Sequence, residues 1–233
     1  MKLPSPLTVL SAFAVCSIPR ADAVAMTYGD LGSFLTAAGS PLALEGFESS
    51  PAGNQLDASA LLLPGFEITH SFAPDLDLGI FNAPLAGISA TAGLNFLVYQ
   101  SSIDAELIFR FLTPINAFSL DLSDWGDYQQ GPGTLGFASD AGHALTIANS
   151  PLANGNQLFF GIIDTGASFT EVRLKNSLPG EAFGVDSVRY GFIKPTTPPV
   201  SVPDGGATWI LLGCGTAGLG LAGRFSRRSR RGA

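Results

Sequence analysis

The sequence predicts an all-β fold: an antiparallel, jelly-roll-like β-sandwich, preceded by one short N-terminal helix and followed by a C-terminal transmembrane helix. Three observations predict the sandwich. Short runs of alternating apolar residues, rich in aromatic and β-branched types, recur through the middle of the chain. Gly, Pro, Asn and Asp fill the gaps between them. No long helical periodicity separates the runs, which excludes a parallel α/β sheet and leaves a sandwich.

The elements follow in chain order. Residues 1–23, MKLPSPLTVLSAFAVCSIPRADA, carry one Lys, an apolar stretch from Leu7 to Ile18 and the small-residue pattern Ala21-Asp22-Ala23. That is the pattern of a secretory signal peptide cut after Ala23; a cut after Ala25 fits nearly as well. Residues 24–193 form the exported domain. TYGDLGSFLTAAG places Leu31, Phe34 and Leu35 on one helical face, with Asp30 as N-cap and Gly39 as stop. Everything after it reads as strand. In AELIFRFL, Leu107, Phe109 and Phe111 share one face, and in INAFSLDL Phe118, Leu120 and Leu122 do. GFEITHSF, LNFLVYQ, HALTIA, QLFFGII, SFTEVRL and FGVDSVRYGF have the same character. Residues 194–201 are a Pro/Thr linker that favours extended polyproline II.

Residues 202–233 end the chain with a turn signal, an apolar run and a burst of arginine. The run from Ala207 to Gly223 holds no charge. As a helix it would measure about 25 Å at ~1.5 Å per residue, slightly short of the ~30 Å hydrocarbon core. Arg224, Arg227, Arg228, Arg230 and Arg231 follow at once, as basic residues do on the cytoplasmic side of a span. A buried helix with a solvated basic tail is the alternative; the abrupt step from apolar to basic favours a membrane segment.

The order Val202-Pro203-Asp204-Gly205-Gly206, apolar helix, arginine cluster resembles the PEP-CTERM sorting signal in a VPDGG-like variant. The resemblance implies recognition by an exosortase-like membrane enzyme of bacteria with exopolysaccharide systems. It also implies transient anchoring in the inner membrane, removal of the tail, and delivery to the cell surface or matrix. Asp204 replaces the Glu of the commonest Pro-Glu-Pro form, and Gly205 its second Pro. The domain is similar to ectodomains of that family as well. Phe34-Leu35-Thr36-Ala37-Ala38, then Phe47-Glu48 ahead of Pro51-Ala52-Gly53, then Phe183-Gly184-Val185-Asp186-Ser187-Val188 carry that pattern.

Between Val24 and Val202 stand 17 acidic and five basic residues, a net of −12. Nucleic acid and anionic lipid select basic surfaces, so neither is an expected partner. Cys16 and Cys214 both lie outside this region, so no disulfide or thiol chemistry belongs to it. No motif of nucleophilic, zinc or phosphate chemistry is present, and His70 and His143 stand alone in the sequence. Glu48 and Asp186 are candidate ligands of a structural calcium, since the terminal strands of jelly rolls often pair and calcium takes oxygen ligands. The alternative is an acid hydrogen-bonded to a loop. Trp125 and Tyr128 sit among Asp121, Asp124 and Asp127 in a polar, Gly-containing loop and are candidates for stacking on sugars. Alternatively, Trp125 folds back over an end of the sandwich. The sequence thus reads as a non-catalytic exported surface or matrix protein with polysaccharide as one expected partner. A secreted glycan-acting hydrolase and a permanently anchored adhesin are the alternatives.

Overall fold

Among the described residues, all eight runs read as strands form strands, and five more join them. The structure, a computed structural model, describes residues 25–71, 78–100, 105–128 and 132–194. The signal peptide with its cut at Ala23, the linker beyond 194, the Val202–Gly206 motif and the 207–223 helix lie outside the described residues.

A first strand precedes the helix: β1 (Ala25–Tyr28), then α1 (Leu31–Ala38). The expectation that the helix comes first is therefore corrected. AMTY has too few residues to show a period. The helix ends are those the sequence specifies. The Asp30 carboxylate accepts from Ser33 N at 2.8 Å, and Gly39 closes the other end at φ 60°. Phe34 and Ala38 form the buried face while Leu35 stays exposed. Gly161 makes room for this docking, because a Cβ there would stand 2.7 Å from the Phe34 ring. Full burial of Phe34 contributes about 2 kcal/mol.

The remaining strands are β2 (Ala43–Glu45), β3 (Ala60–Leu63), β4 (Phe66–His70), β5 (Leu78–Phe81), β6 (Phe96–Gln100), β7 (Glu106–Ile115), β8 (Ala117–Ser123), β9 (Thr134–Ser139), β10 (Ala144–Asn149), β11 (Gln157–Asp164), β12 (Phe169–Asn176) and β13 (Ala182–Gly191). One sheet has the order β1-β11-β8-β13-β6-β5, with β2 also paired to β13; the other runs β10-β9-β12-β7-β4-β3. Every pairing is antiparallel. From β6 onward the chain crosses from one sheet to the other at every step except the β9–β10 hairpin, giving β6-β13-β8-β11 in one and β7-β12-β9-β10 in the other. That alternation is the connectivity expected of a jelly roll.

The inner faces meet through interleaved rings. Phe66 meets Tyr190 at 5.1 Å, Phe109 meets Phe118 at 5.6 Å and Phe137 meets Phe160 at 4.9 Å, each pair joining opposite sheets. Such pairs add about 1 kcal/mol each beyond area burial. The outer face of the first sheet is covered in two places. Phe34 and Ala38 cover Ile163 and Ala117 at one end, and Ile88 in the loop after β5 covers Phe96 and Val98 at the other. Between these covers the sheet is polar.

Candidate functional site

The polar strip is built by a bulge in the last strand. Along β13, Asp186 lies opposite Asp121 and Arg189 opposite Ser119, with one residue too many between them. Ser187 takes up the excess at φ 52°. Without the extra residue, Asp186 and Arg189 would face opposite sides of the sheet; with it both face outward. Two carboxylates directly opposite would repel, so each has its own partners. Arg189 Nη1 stands 3.6 Å from Asp121 Oδ2. Asp186 Oδ2 accepts from Thr91 N, Ala92 N and Thr91 Oγ1 at 2.8, 2.8 and 3.0 Å. Burial, with Asp186 adding to it, pushes the Asp121 carboxyl above the ordinary range against the pull of Arg189.

The same contacts hold the segment 89–95 over the sheet. Glu48 Oε1 accepts from Leu94 N at 2.7 Å and Asn95 N at 3.0 Å, and Ser123 Oγ donates to Ser89 O at 2.9 Å. Between this segment and the start of α1 runs a groove of about 390 Å3. Asp121, Gln157 and Phe159 line it from the sheet, Thr91 from the loop, and Gly29 and Asp30 from the turn before α1. The Phe159 ring leans on Phe34 with centroids 5.9 Å apart. A carboxylate, an amide and a hydroxyl around a half-buried ring can donate to and accept from a ligand rich in hydroxyl groups. Gln157 and Phe159 escaped the sequence reading, although a signal existed. Phe159 and Phe160 are consecutive in one strand, so one of them must leave the core. Nothing in the sequence told which.

The residues singled out by sequence fall in three places. Glu48 and Asp186 do reach the same segment, as the pairing of terminal strands led one to expect, and β2 pairs with β13. Their oxygens face N–H and O–H donors, however, which is the loop-holding alternative. An oxygen that already receives two or three such hydrogens sits at positive potential and suits a cation poorly. Among the described residues no group of three or more His, Cys, Asp or Glu is placed to hold a metal. Trp125 has no exposed surface. Its Nε1 donates to Asn176 Oδ1 at 3.0 Å, and its ring closes one end of the core, so it offers no face to a sugar. The loop bends to allow this, with Asp124 at φ 60° and Gly126 at φ 86°. Burial pushes Asp124 and Glu181 beneath it above the ordinary carboxylate range. Tyr128 is 69% exposed and shares no surface with Trp125. Leu78 and Gly79 are strand residues of β5.

His143 is not alone. Its Nε2 lies 2.8 Å from Asp164 Oδ2 and its Nδ1 2.7 Å from Ser139 Oγ. A nucleophilic triad has a similar chain of hydrogen bonds, but with serine on Nε2 and the acid on Nδ1. Here the serine is four residues away in one hairpin and already accepts from the Ala141 amide. The ring packs edge-on against Phe169 at 5.7 Å. The arrangement fastens the β9–β10 hairpin of one sheet to the end of β11 in the other. Burial opposes ionisation of Asp164, but the Gly166 and Ala167 amides and His143 outweigh it and hold the carboxyl below its ordinary range.

No protein-family model and no curated protein matches the chain. Solved structures of similar architecture do. The K1 cleaved adhesin domain of Lys-gingipain from Porphyromonas gingivalis W83 is 14% identical, covers 66% of this chain and 99% of its own, and has a TM-score of 0.40. The CBM22-1 xylan-binding domain of Paenibacillus barcinonensis Xyn10C is 10% identical, with coverage of 67% and 97% and a TM-score of 0.40. TmCBM61, solved with β-1,4-galactotriose, is 10% identical, with coverage of 63% and 97% and a TM-score of 0.37. At this level of similarity the ligands named for those proteins do not transfer to this chain.

Proposed function

We propose that the chain is a non-catalytic, exported surface or matrix protein whose sandwich domain binds polysaccharide in the groove between α1 and the segment 89–95. One observation carries this reading: the groove of about 390 Å3 surrounds the half-buried Phe159 with Asp121, Gln157 and Thr91. Its volume lies in the range of small-molecule sites, roughly 300–1,000 Å3. Export and sorting belong to the same proposal: cleavage after Ala23, and recognition of Val202–Gly206 by an exosortase-like enzyme after transient anchoring by 207–223. The start of β1 agrees with the first cut. Cleavage after Ala23 leaves the strand whole, whereas cleavage after Ala25 removes the residue opposite Asp164.

Affinity electrophoresis of the protein in gels cast with neutral polysaccharides tests the binding. Retardation by at least one polymer, reduced in Gln157→Ala and Phe159→Ala, is the expected result. Free migration in all of them rejects it. For sorting, the intact mass of the cell-surface form should be lower by the residues beyond the motif. A surface form that retains Trp209 and the arginines leaves only anchoring. Turnover of any of these polymers would revive the hydrolase reading.

A further inference from the structure

A second cavity adjoins the groove. It holds about 230 Å3 and is lined by Tyr28, Leu145, Thr146, Ile147 and Phe160. It lies between β1 and β10, the edge strands of the two sheets on that side. The two cavities share Gly29 and Phe159 as a common wall, so a path runs from the groove, across the Phe159 ring, into a slot of mixed polar and apolar lining. The backbone adds polar groups along this path. Asp164 N donates to Asn116 O and Asp124 N to Asn156 O, so the even-numbered residues of β11 bond toward β8. Odd-numbered residues bond the other way. Tyr28, the last residue of β1, pairs with Gly161, and the chain then leaves for α1. The N–H and C=O groups of Gln157 and Phe159 therefore point past the end of β1, into the path.

Resting on the glycan reading above, we propose that the ligand is a linear glycan of neutral or amine-bearing sugars, bound internally by two cavities that take successive units on either side of Phe159. Two backbone positions are too few for an added peptide strand, which usually spans about three to ten residues. Sugar hydroxyls, which donate and accept, match isolated amide groups beside an aromatic ring. The charge of the ligand follows from the lining. Among the described residues, both cavities together present the carboxylates of Asp30 and Asp121 and no basic side chain. The nearby Arg189 is turned to Asp121 and to Ser187 O. A uronic-acid chain would meet like charge with no cation of the lining to receive it; an amine would meet a favourable one.

The test is calorimetric titration of the full chain with gluco-, xylo-, manno-, galacto-, chito- and glucosamine oligosaccharides of one to six units, and with oligogalacturonate. For the series that binds, affinity should rise at least about tenfold from one unit to three and then level off, and oligogalacturonate should not bind. Thr146→Trp, at an exposed position on the rim of the slot, should flatten the length dependence while leaving single-unit affinity unchanged. Leu145→Ala should weaken only the longer oligomers, and melting curves confirm that both variants are folded. Binding that ignores chain length, slot variants that leave the length dependence intact, or equal binding of oligogalacturonate each overturns the two-cavity proposal while sparing the groove. Failure of every oligomer in every series sinks the groove reading with it.

Discussion

Replacing Asp186 by Ala should unfasten the segment that forms one wall of the groove. The carboxylate is 1% exposed. Its Oδ2 receives three hydrogen bonds from Thr91 and Ala92, and its Oδ1 a fourth from Ser187 N at 2.6 Å. A hydrogen bond to a charged acceptor contributes about 1.5–3 kcal/mol net. The four do not add in full. Water reaches the part-buried amides of the segment once the acid is gone, and repulsion between Asp186 and Asp121 is relieved. The loss should be about 3–5 kcal/mol, the range for removing one partner of a buried charged network. At roughly 2–4 °C per kcal/mol for a domain of this size, melting should fall by about 10 °C. Glu48→Ala removes two bonds at an exposed position and should cost about 1 kcal/mol. Scanning calorimetry of the protein, with calcium and with chelator, gives both numbers. Melting of the parent should be indifferent to either addition. A parent stabilised by calcium, with that stabilisation gone in Asp186→Ala, would restore these acids as metal ligands. A variant that melts within about 2 °C of the parent would show that the segment does not depend on Asp186.

Three further outcomes are expected. Asp164→Asn should cost about 1–3 kcal/mol at neutral pH. Because the folded carboxyl titrates below its unfolded value of about 3.9, that stability is present above this pH and disappears as pH falls through the lower, folded value. Chemical denaturation of parent and variant at pH 7 and near pH 3 should therefore show the gap closing. Trp125→Ala should cost about 3–5 kcal/mol as a buried ring is lost, against less than about 0.5 kcal/mol for Tyr128→Ala; equal costs would contradict the opposite placement of the two rings. Gly79→Ala should destabilise by about 1–3 kcal/mol in a urea titration, because the new Cβ would stand 2.0 Å from Gln55 O; an unchanged midpoint would mean that β5 shifts freely.

The fold was legible where the chemistry is local and periodic. Asp30 and Gly39 marked the helix ends because capping needs only neighbouring residues. Eight strands showed themselves by alternation or composition. What stayed hidden depends on partners distant in sequence. The short strands β1, β2, β3 and β5 hold three or four residues each, too few to display a period, and exist because neighbours supply the other half of their ladders. β9, six residues with a glycine within, is another such case. The candidate site was less legible for the same reason. Glu48 and Asp186 could be suspected of meeting, but not that amides 46 and 95 residues away would occupy their oxygens. A tryptophan in a polar loop looks exposed until Asn176 is seen to meet its indole N–H. The bulge that turns Arg189 outward leaves no trace in FGVDSVRYGF, since its defining residue, Ser187, is of a type common in strands and loops alike.

The place of β13 bears on when the molecule can come into being. The last strand is in the middle of its sheet, bonded along its length to β8, β6 and β2, and the first strand pairs with residues more than 130 positions later. Pairings so distant must meet the entropy of closing long loops before they return any contact energy. A ribosome delivering about 5–20 residues per second would expose β1 and β2 many seconds before anything exists for them to pair with. The sheet can close only after Gly191 has emerged. Until β11 and β13 have emerged, β1 and β2 respectively remain unpaired thread, the condition in which a chain passes most readily through a narrow channel.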